Sequence, residues 1–200
     1  SGVCSSDLST GGSRRSRPCF PESRHETERL GMRYLIVNAD DFGASPGINR
    51  GILEAHATGI LTSTSLMVDT PWSAEAASAG RSAVALSVGL HVVLPEGPVP
   101  TDSNGVEGPS EALERQYTRF VALMGAPPTH VDSHHNVHRD PAVLASFVEF
   151  CRQRGLSLRG HSSVRYFSKF YGRWGGESHP EQVSVESLGR MLATEIGEGV

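Results

Sequence analysis

The stretch Tyr34-Leu35-Ile36-Val37-Asn38-Ala39-Asp40-Asp41-Phe42-Gly43 decides how the chain is read. It opens as a short apolar run of the kind that forms a buried strand. It closes on two adjacent carboxylates and a glycine. Burying one charge beside another is unfavourable, so the pair needs a use. A bound cation and a proton to carry would supply one. A strand-to-helix turn, where Asp is common, is the other reading.

Downstream, the chain alternates strand and helix. Strand one is expected over about Tyr34–Asn38. Ser45 and Pro46 then have the chemistry of an N-cap and a first helical position, and Gly59 that of a stop. Ile48, Ile52 and Ala55 supply an apolar stripe between them. Thr62–Val68 reads as a second strand, and Thr70-Pro71 as the cap of a small Ala-rich helix ending near Gly80. A third strand, Val84–Leu94, carries His91. Residues 95–110 form a long Pro/Gly loop of the kind used as a lid or binding loop.

Leu113, Tyr117, Phe120, Val121 and Met124 lie at helical spacing before Gly125 and Pro127. A short strand follows at Thr129–Ser133. Asp140-Pro141 caps a helix that buries Leu144, Phe147, Val148 and Cys151 and ends at Gly155. Leu156–Arg159 reads as a further strand, and Glu181–Ile196 as a helix. Such βα units imply a parallel sheet. In parallel sheets and barrels, active residues gather at the carboxyl ends of strands. Asp40, Asp41, His91 and the histidines of 130–138 all fall at or just after expected strand ends.

The totals narrow the class. Two hundred residues can bury a sizeable core. A formal net charge of -4 carries no polyanion-binding signature, so nucleic acid is not expected as a partner. Cys4, Cys19 and Cys151 are too sparse for a disulfide framework or a Cys-rich zinc site. No apolar run has the length of a membrane span, and no signal peptide opens the chain. The expectation is a soluble protein of a reducing compartment, the cytoplasm. Residues 1–31, rich in Ser, Gly, Arg and Pro, read as a disordered leader or an upstream extension, with Met32 as an alternative start.

Nine histidines stand out, and His130, His134, His135 and His138 cluster. In an extended segment His130, Asp132 and His134 share a face. In a helical turn His134 and His138 do. One carboxylate and two imidazoles are a frequent way to hold a hydrolytic metal with positions left open for water and substrate. By donor softness such a set suits Zn²⁺, Co²⁺, Ni²⁺ or Mn²⁺. A His-rich surface loop is the bland alternative, and His91 alone would read as a core histidine.

Three separated motifs, Val37-Asn38-Ala39-Asp40-Asp41-Phe42-Gly43, Gly89-Leu90-His91 and Thr129-His130-Val131-Asp132-Ser133-His134-His135-Asn136-Val137-His138, occur in this order. Together they resemble the YdjC-like carbohydrate deacetylases, a family with chitooligosaccharide and hopanoid-associated branches. The resemblance runs from about Arg33 to the end of the chain. It implies an α/β fold, a distorted or incomplete (β/α) barrel with parallel strands. It implies hydrolysis of an N-acetyl group on a small carbohydrate, dependent on one divalent metal ion, Mg²⁺ by resemblance. Position by position it makes Asp41, His91 and His134 the metal ligands and Asp40 the general base. Asp132 and His138 would stand behind the ligands or touch substrate.

Asn136 stands where many relatives carry His, and Asn cannot shuttle a proton. The family's last segment also carries a Cys-His-Pro-Gly motif that this sequence lacks. Residues 33–200 fall short of the ~250 of a complete barrel, so residues 32–200 are expected to be a C-terminally truncated deacetylase domain. A non-catalytic metal- or sugar-binding remnant and a deacetylase of a lipid-linked sugar are the rival expectations. A homo-oligomer is left open.

Overall fold

The computed structural model describes residues 34–95, 107–174 and 177–194. The leader 1–31, most of the Pro/Gly loop and the end of the last expected helix lie outside the described residues.

Five parallel strands form one sheet in the order β1-β2-β3-β4-β5: β1 (Asn38–Phe42), β2 (Ser63–Leu66), β3 (Ser87–Val92), β4 (His130–Ser133) and β5 (Ser157–Leu158). Helices connect them: α1 (Pro46–Thr58), α2 (Ser73–Ser82), α3 (Pro109–Met124) and α4 (Pro141–Arg154). Neighbours in sequence are neighbours in the sheet, which is the winding of a (β/α) barrel wall. Among the described residues the sheet is open, with β1 and β5 at its edges. A short antiparallel pair follows, β6 (Arg173–Trp174) and β7 (Glu177–Ser178), then α5 (Val185–Thr194).

Helix boundaries follow local chemistry. Ser45 accepts the amide of Ile48 at 3.2 Å and Pro46 opens α1. Asp140 accepts the amide of Ala142 at 2.9 Å and Pro141 opens α4. Each such cap is worth about 1 kcal/mol. Gly125 and Gly155 close α3 and α4 in the left-handed conformation. Thr70 does not cap α2 directly. Its hydroxyl bonds the carbonyl of Gly43 and so ties the α2 turn to the end of β1.

The first strand begins later than its apolar run predicts. Tyr34, Leu35 and Ile36 are exposed. Pairing fixes the start, because β2 offers Ser63 opposite Asn38 and the ladder runs forward from there. Asp40 and Asp41 therefore lie inside β1, not beyond it.

Alternation sorts the two faces of the sheet. Phe42, Leu66, Val88, Leu90, Val92, Val131 and Leu158 join Ile52, Ala77, Leu113, Phe120, Phe147 and Cys151 from the helices in one core. Each large side chain fully buried there contributes roughly 1.5–3 kcal/mol. The residues between them, Asn38, Asp40, Ser65, Gly89, His91, His130 and Asp132, belong to the opposite face. The sheet is thus apolar towards its helices and polar on its other side, and the polar side holds the chemistry.

Candidate metal centre

Adjacent residues of a regular strand point to opposite faces. Asp40 and Asp41 escape this rule through a bulge. In the ladder Ala39 pairs with Thr64 and Phe42 with Leu66, so Asp40 and Asp41 together oppose Ser65 alone. Asp41 takes a φ of 66°, in the left-handed region that a non-glycine residue enters only at a cost. The bulge turns its carboxylate to the polar face and returns Phe42 to the core. Gly43 completes the turn at a φ of 96°, where a Cβ would meet the carbonyl of Met67 at 2.8 Å. Asn49 secures it by accepting the Gly43 amide at 2.7 Å.

Asp41 is met by two imidazoles. His91 Nε2 lies 3.1 Å, and His134 Nδ1 3.0 Å, from its Oδ1. The rings of His91 and His134 meet edge to face, with centroids 5.7 Å apart. His134 stands just beyond β4, in the 3₁₀ turn His134–Arg139, and stacks on His135. The turn bends through His135 and Asn136, both at positive φ. Asn136 suits that conformation, which its short polar side chain tolerates.

His91 is held from behind. It lies opposite Asp132 in the β3–β4 register and donates Nδ1–H to Asp132 Oδ1 at 2.6 Å. That bond turns Nε2 towards Asp41. Nε2 is buried and faces Asp41 Oδ1 at 3.1 Å without the alignment of a hydrogen bond. Burial opposes a charged ring, but the bond to Asp132 and the close contact with Asp41 outweigh it and lift the His91 value to about 9. The close contact with His91 holds the Asp41 carboxyl below the usual range against the opposing effect of burial. The ligand atoms of Asp41, His91 and His134 lie within 4.8 Å of one another. A buried imidazole nitrogen without a well-aligned hydrogen bond, a second imidazole and a carboxylate oxygen fit one divalent ion.

Asp132 is fully buried. Burial works against its charge, but the His91 bond and Arg159 keep its carboxyl below the usual range. His130 shares its face, with Nε2 3.8 Å from Asp132 Oδ2. The His130 ring crosses β3 where Gly89 leaves room; a Cβ on Gly89 would fall 2.3 Å from its Cε1.

Asp40 stands beside this group, its side chain 32% exposed. Asn38 Nδ2 donates to its Oδ1 at 2.9 Å. Arg159 reaches both of its oxygens, Nη1 to Oδ2 at 2.8 Å and Nη2 to Oδ1 at 2.5 Å. Arg159 Nη2 also donates to Asp132 Oδ2. Sequence reasoning missed Arg159, although it ends the expected strand Leu156–Arg159 and the strand-end rule applies to it equally.

His138 is enclosed away from solvent. The Ser133 hydroxyl donates to His138 Nδ1 at 2.6 Å and accepts the His138 backbone amide at 2.9 Å. Burial pushes the His138 value down to about 4, so the ring is neutral near pH 7. The structure therefore brings together Asp40, Asp41, His91, Asp132 and His134, and sets His138 in the interior behind them.

The sequence profile described as YdjC-like protein matches residues 34–194. The chain belongs to the YdjC-like family. A chitooligosaccharide deacetylase of Klebsiella pneumoniae is 36% identical over 197 residues, covering 80% of this chain and 77% of the relative. One of Serratia marcescens is 39% identical over 149 residues, covering 64% of this chain and 59% of the relative. The chain thus spans about three fifths to three quarters of the length of these relatives. A crystal structure from Enterococcus faecalis V583, provisionally named a cellobiose-phosphate cleavage protein, superposes with a TM-score of 0.52 at 32% identity. That match covers 64% of this chain and 59% of the other. Among the described residues no helix is long and apolar enough to cross a membrane.

Proposed function

We propose that this YdjC-like chain is the carbohydrate deacetylase its relatives are named for, and that it removes the acetyl group from an N-acetylated sugar with the help of one divalent cation. The observation that carries the reading is the convergence of His91 and His134 on one oxygen of Asp41, with a second carboxylate, Asp40, beside them.

Asp41, His91 and His134 would hold the cation. When bound, it supplies Lewis-acid polarisation of an acetamide carbonyl and of water, and charge to stabilise a developing oxyanion. The protein's own part is to set and serve that arrangement. Asp132 fixes the ring of His91, so the ligand nitrogen needs no reorientation. The bulge at Asp41 keeps both acids on one face. Asp40, open to solvent on one side, accepts a proton from water as its oxygen bonds to the acetyl carbon. The C–N bond then breaks, acetate leaves, and the sugar amine takes up the proton that Asp40 received.

Two imidazoles in the ligand set favour Zn²⁺, Co²⁺, Ni²⁺ or Mn²⁺, and the family resemblance favours Mg²⁺. Elemental analysis of purified protein separates these. A reducing, cytoplasmic setting goes with this reading, since three widely spaced cysteines make no disulfide framework.

The test is acetate release from N-acetylglucosamine oligomers by the metal-loaded chain, and by a version extended to its relatives' length. Metal-dependent turnover that disappears in Asp40→Asn, with metal still bound, supports the proposal. Metal binding without release of acetate from any N-acetylated sugar, free or lipid-linked, by either version defeats it in favour of a binding remnant.

A further inference from the structure

The bulge in β1 raises a problem that it does not solve. It brings two adjacent carboxylates to the same face, near the same imidazole. Oxygens of Asp40 and Asp132 lie with a ring nitrogen of His91 in a second cluster, also within 4.8 Å of one another. By distance alone, Asp40 is a further candidate ligand. A carboxylate that ligates a cation cannot also serve as a free base.

The two acids differ in their partners. Among the interactions described, the Asp41 side chain meets imidazoles, whose nitrogens can exchange a proton for a metal. Both oxygens of Asp40 are taken by a guanidinium. A planar fork on a carboxylate fixes direction as well as charge. The fork is itself anchored. Arg159 donates its backbone amide to the Val131 carbonyl at 3.0 Å, extending the β5 ladder. Its side chain is only 10% exposed, and its guanidinium lies 5.5 Å from the Tyr166 ring centroid. Through Asp132 the same nitrogen is tied to the residue that orients His91.

We infer that Arg159 is the positioning residue that divides the work of the two acids, keeping Asp40 out of the ligand set that Asp41, His91 and His134 form. This rests on the metal reading above. A purely structural role for Arg159, as the counter-ion of buried Asp132, makes the opposite prediction for metal binding. Its loss would loosen Asp132, His91 and the metal together. Loss of a dividing clamp instead frees Asp40 to join the ligands, and the metal binds more tightly.

The experiment is a double-mutant cycle read by calorimetric titration with Mn²⁺, with thermal melts on each protein. Arg159→Met should tighten Mn²⁺ binding about tenfold, or ~1.4 kcal/mol. In an Asp40→Asn background the same change should shift affinity less than about threefold, because the released carboxylate is gone. Arg159→Lys keeps the charge and loses the fork, so it should tighten binding in the same direction. Unchanged or weaker binding in Arg159→Met overturns the inference. So does equal tightening in both backgrounds, which would reduce the effect to lost charge repulsion. If Arg159→Met does not fold, Arg159→Lys decides by the same criterion. A wild-type chain that binds no Mn²⁺ defeats the metal reading and this inference with it. A wild-type chain that binds while the variants stay unchanged defeats this inference alone.

Discussion

Asp132 and His91 are register partners on adjacent parallel strands, joined by a hydrogen bond of 2.6 Å. The backbone ladder therefore sets the direction of a candidate ligand before any ion arrives. Asp132→Asn keeps the shape, but an amide can replace the carboxylate only as a neutral acceptor. Metal affinity should fall about 10–100-fold, the usual cost of losing a carboxylate behind a ligating histidine. Titration with Mn²⁺ or Zn²⁺ checks this, and unchanged affinity would contradict it.

Metal should stabilise the fold by mass action. At a hundredfold excess over its Kd, an ion that binds only the folded state adds about 2.7 kcal/mol. The melting temperature should rise with the logarithm of metal concentration. Asp41→Asn tolerates the left-handed backbone at this position but loses the ligand charge. The metal-dependent rise should largely vanish in this variant.

Gly89→Ala should cost about 1–3 kcal/mol, because the new methyl collides with the His130 ring. Truncating that ring removes the obstacle, so Gly89→Ala combined with His130→Ala should lose much less than the two single costs added. Chemical denaturation of the four proteins reads the coupling.

His138 should make the fold acid-sensitive. Its folded value of about 4 lies below its ordinary value of 6.5. The unfolded chain then binds the proton more readily, so stability is complete above the ordinary value and is lost as pH falls towards the folded one. The full effect is about 3 kcal/mol. His138→Gln, which does not titrate, should flatten the stability curve in that window. His130, also lowered by burial, adds to the wild-type slope in the same direction.

Cys151 should resist alkylation in the native protein. It is buried on α4, and burial lifts its thiol to about 11. Peptide mapping after brief iodoacetamide treatment should find Cys151 unmodified until denaturant is added.

Much of this arrangement is legible in the sequence because it depends on local rules. Ser45-Pro46 and Asp140-Pro141 start helices wherever they precede an apolar stripe, and they do so here. His91 and His134 were reachable because strand ends gather chemistry in parallel sheets. β1 starts later than its apolar run because such a run reports burial preference, whereas the strand begins where a neighbour offers a ladder. The bulge left no local mark, since adjacent Asp residues fit an ordinary turn equally well. Arg159 was hidden for another reason. Its role depends on two carboxylates from β1 and β4, and pairing over such distances along the chain is not written in any window of residues.

The kink in β1 makes the two acids a matter of length as well as charge. Asp40 and Asp41 fill a space that the partner strand spans with Ser65 alone. Deleting either one would close the ladder into an even strand and leave a single carboxylate where two now stand. Inserting a residue would carry Phe42 out of the core. The count of residues between Ala39 and Phe42 thus decides both how many acids the polar face receives and which side chain enters the core.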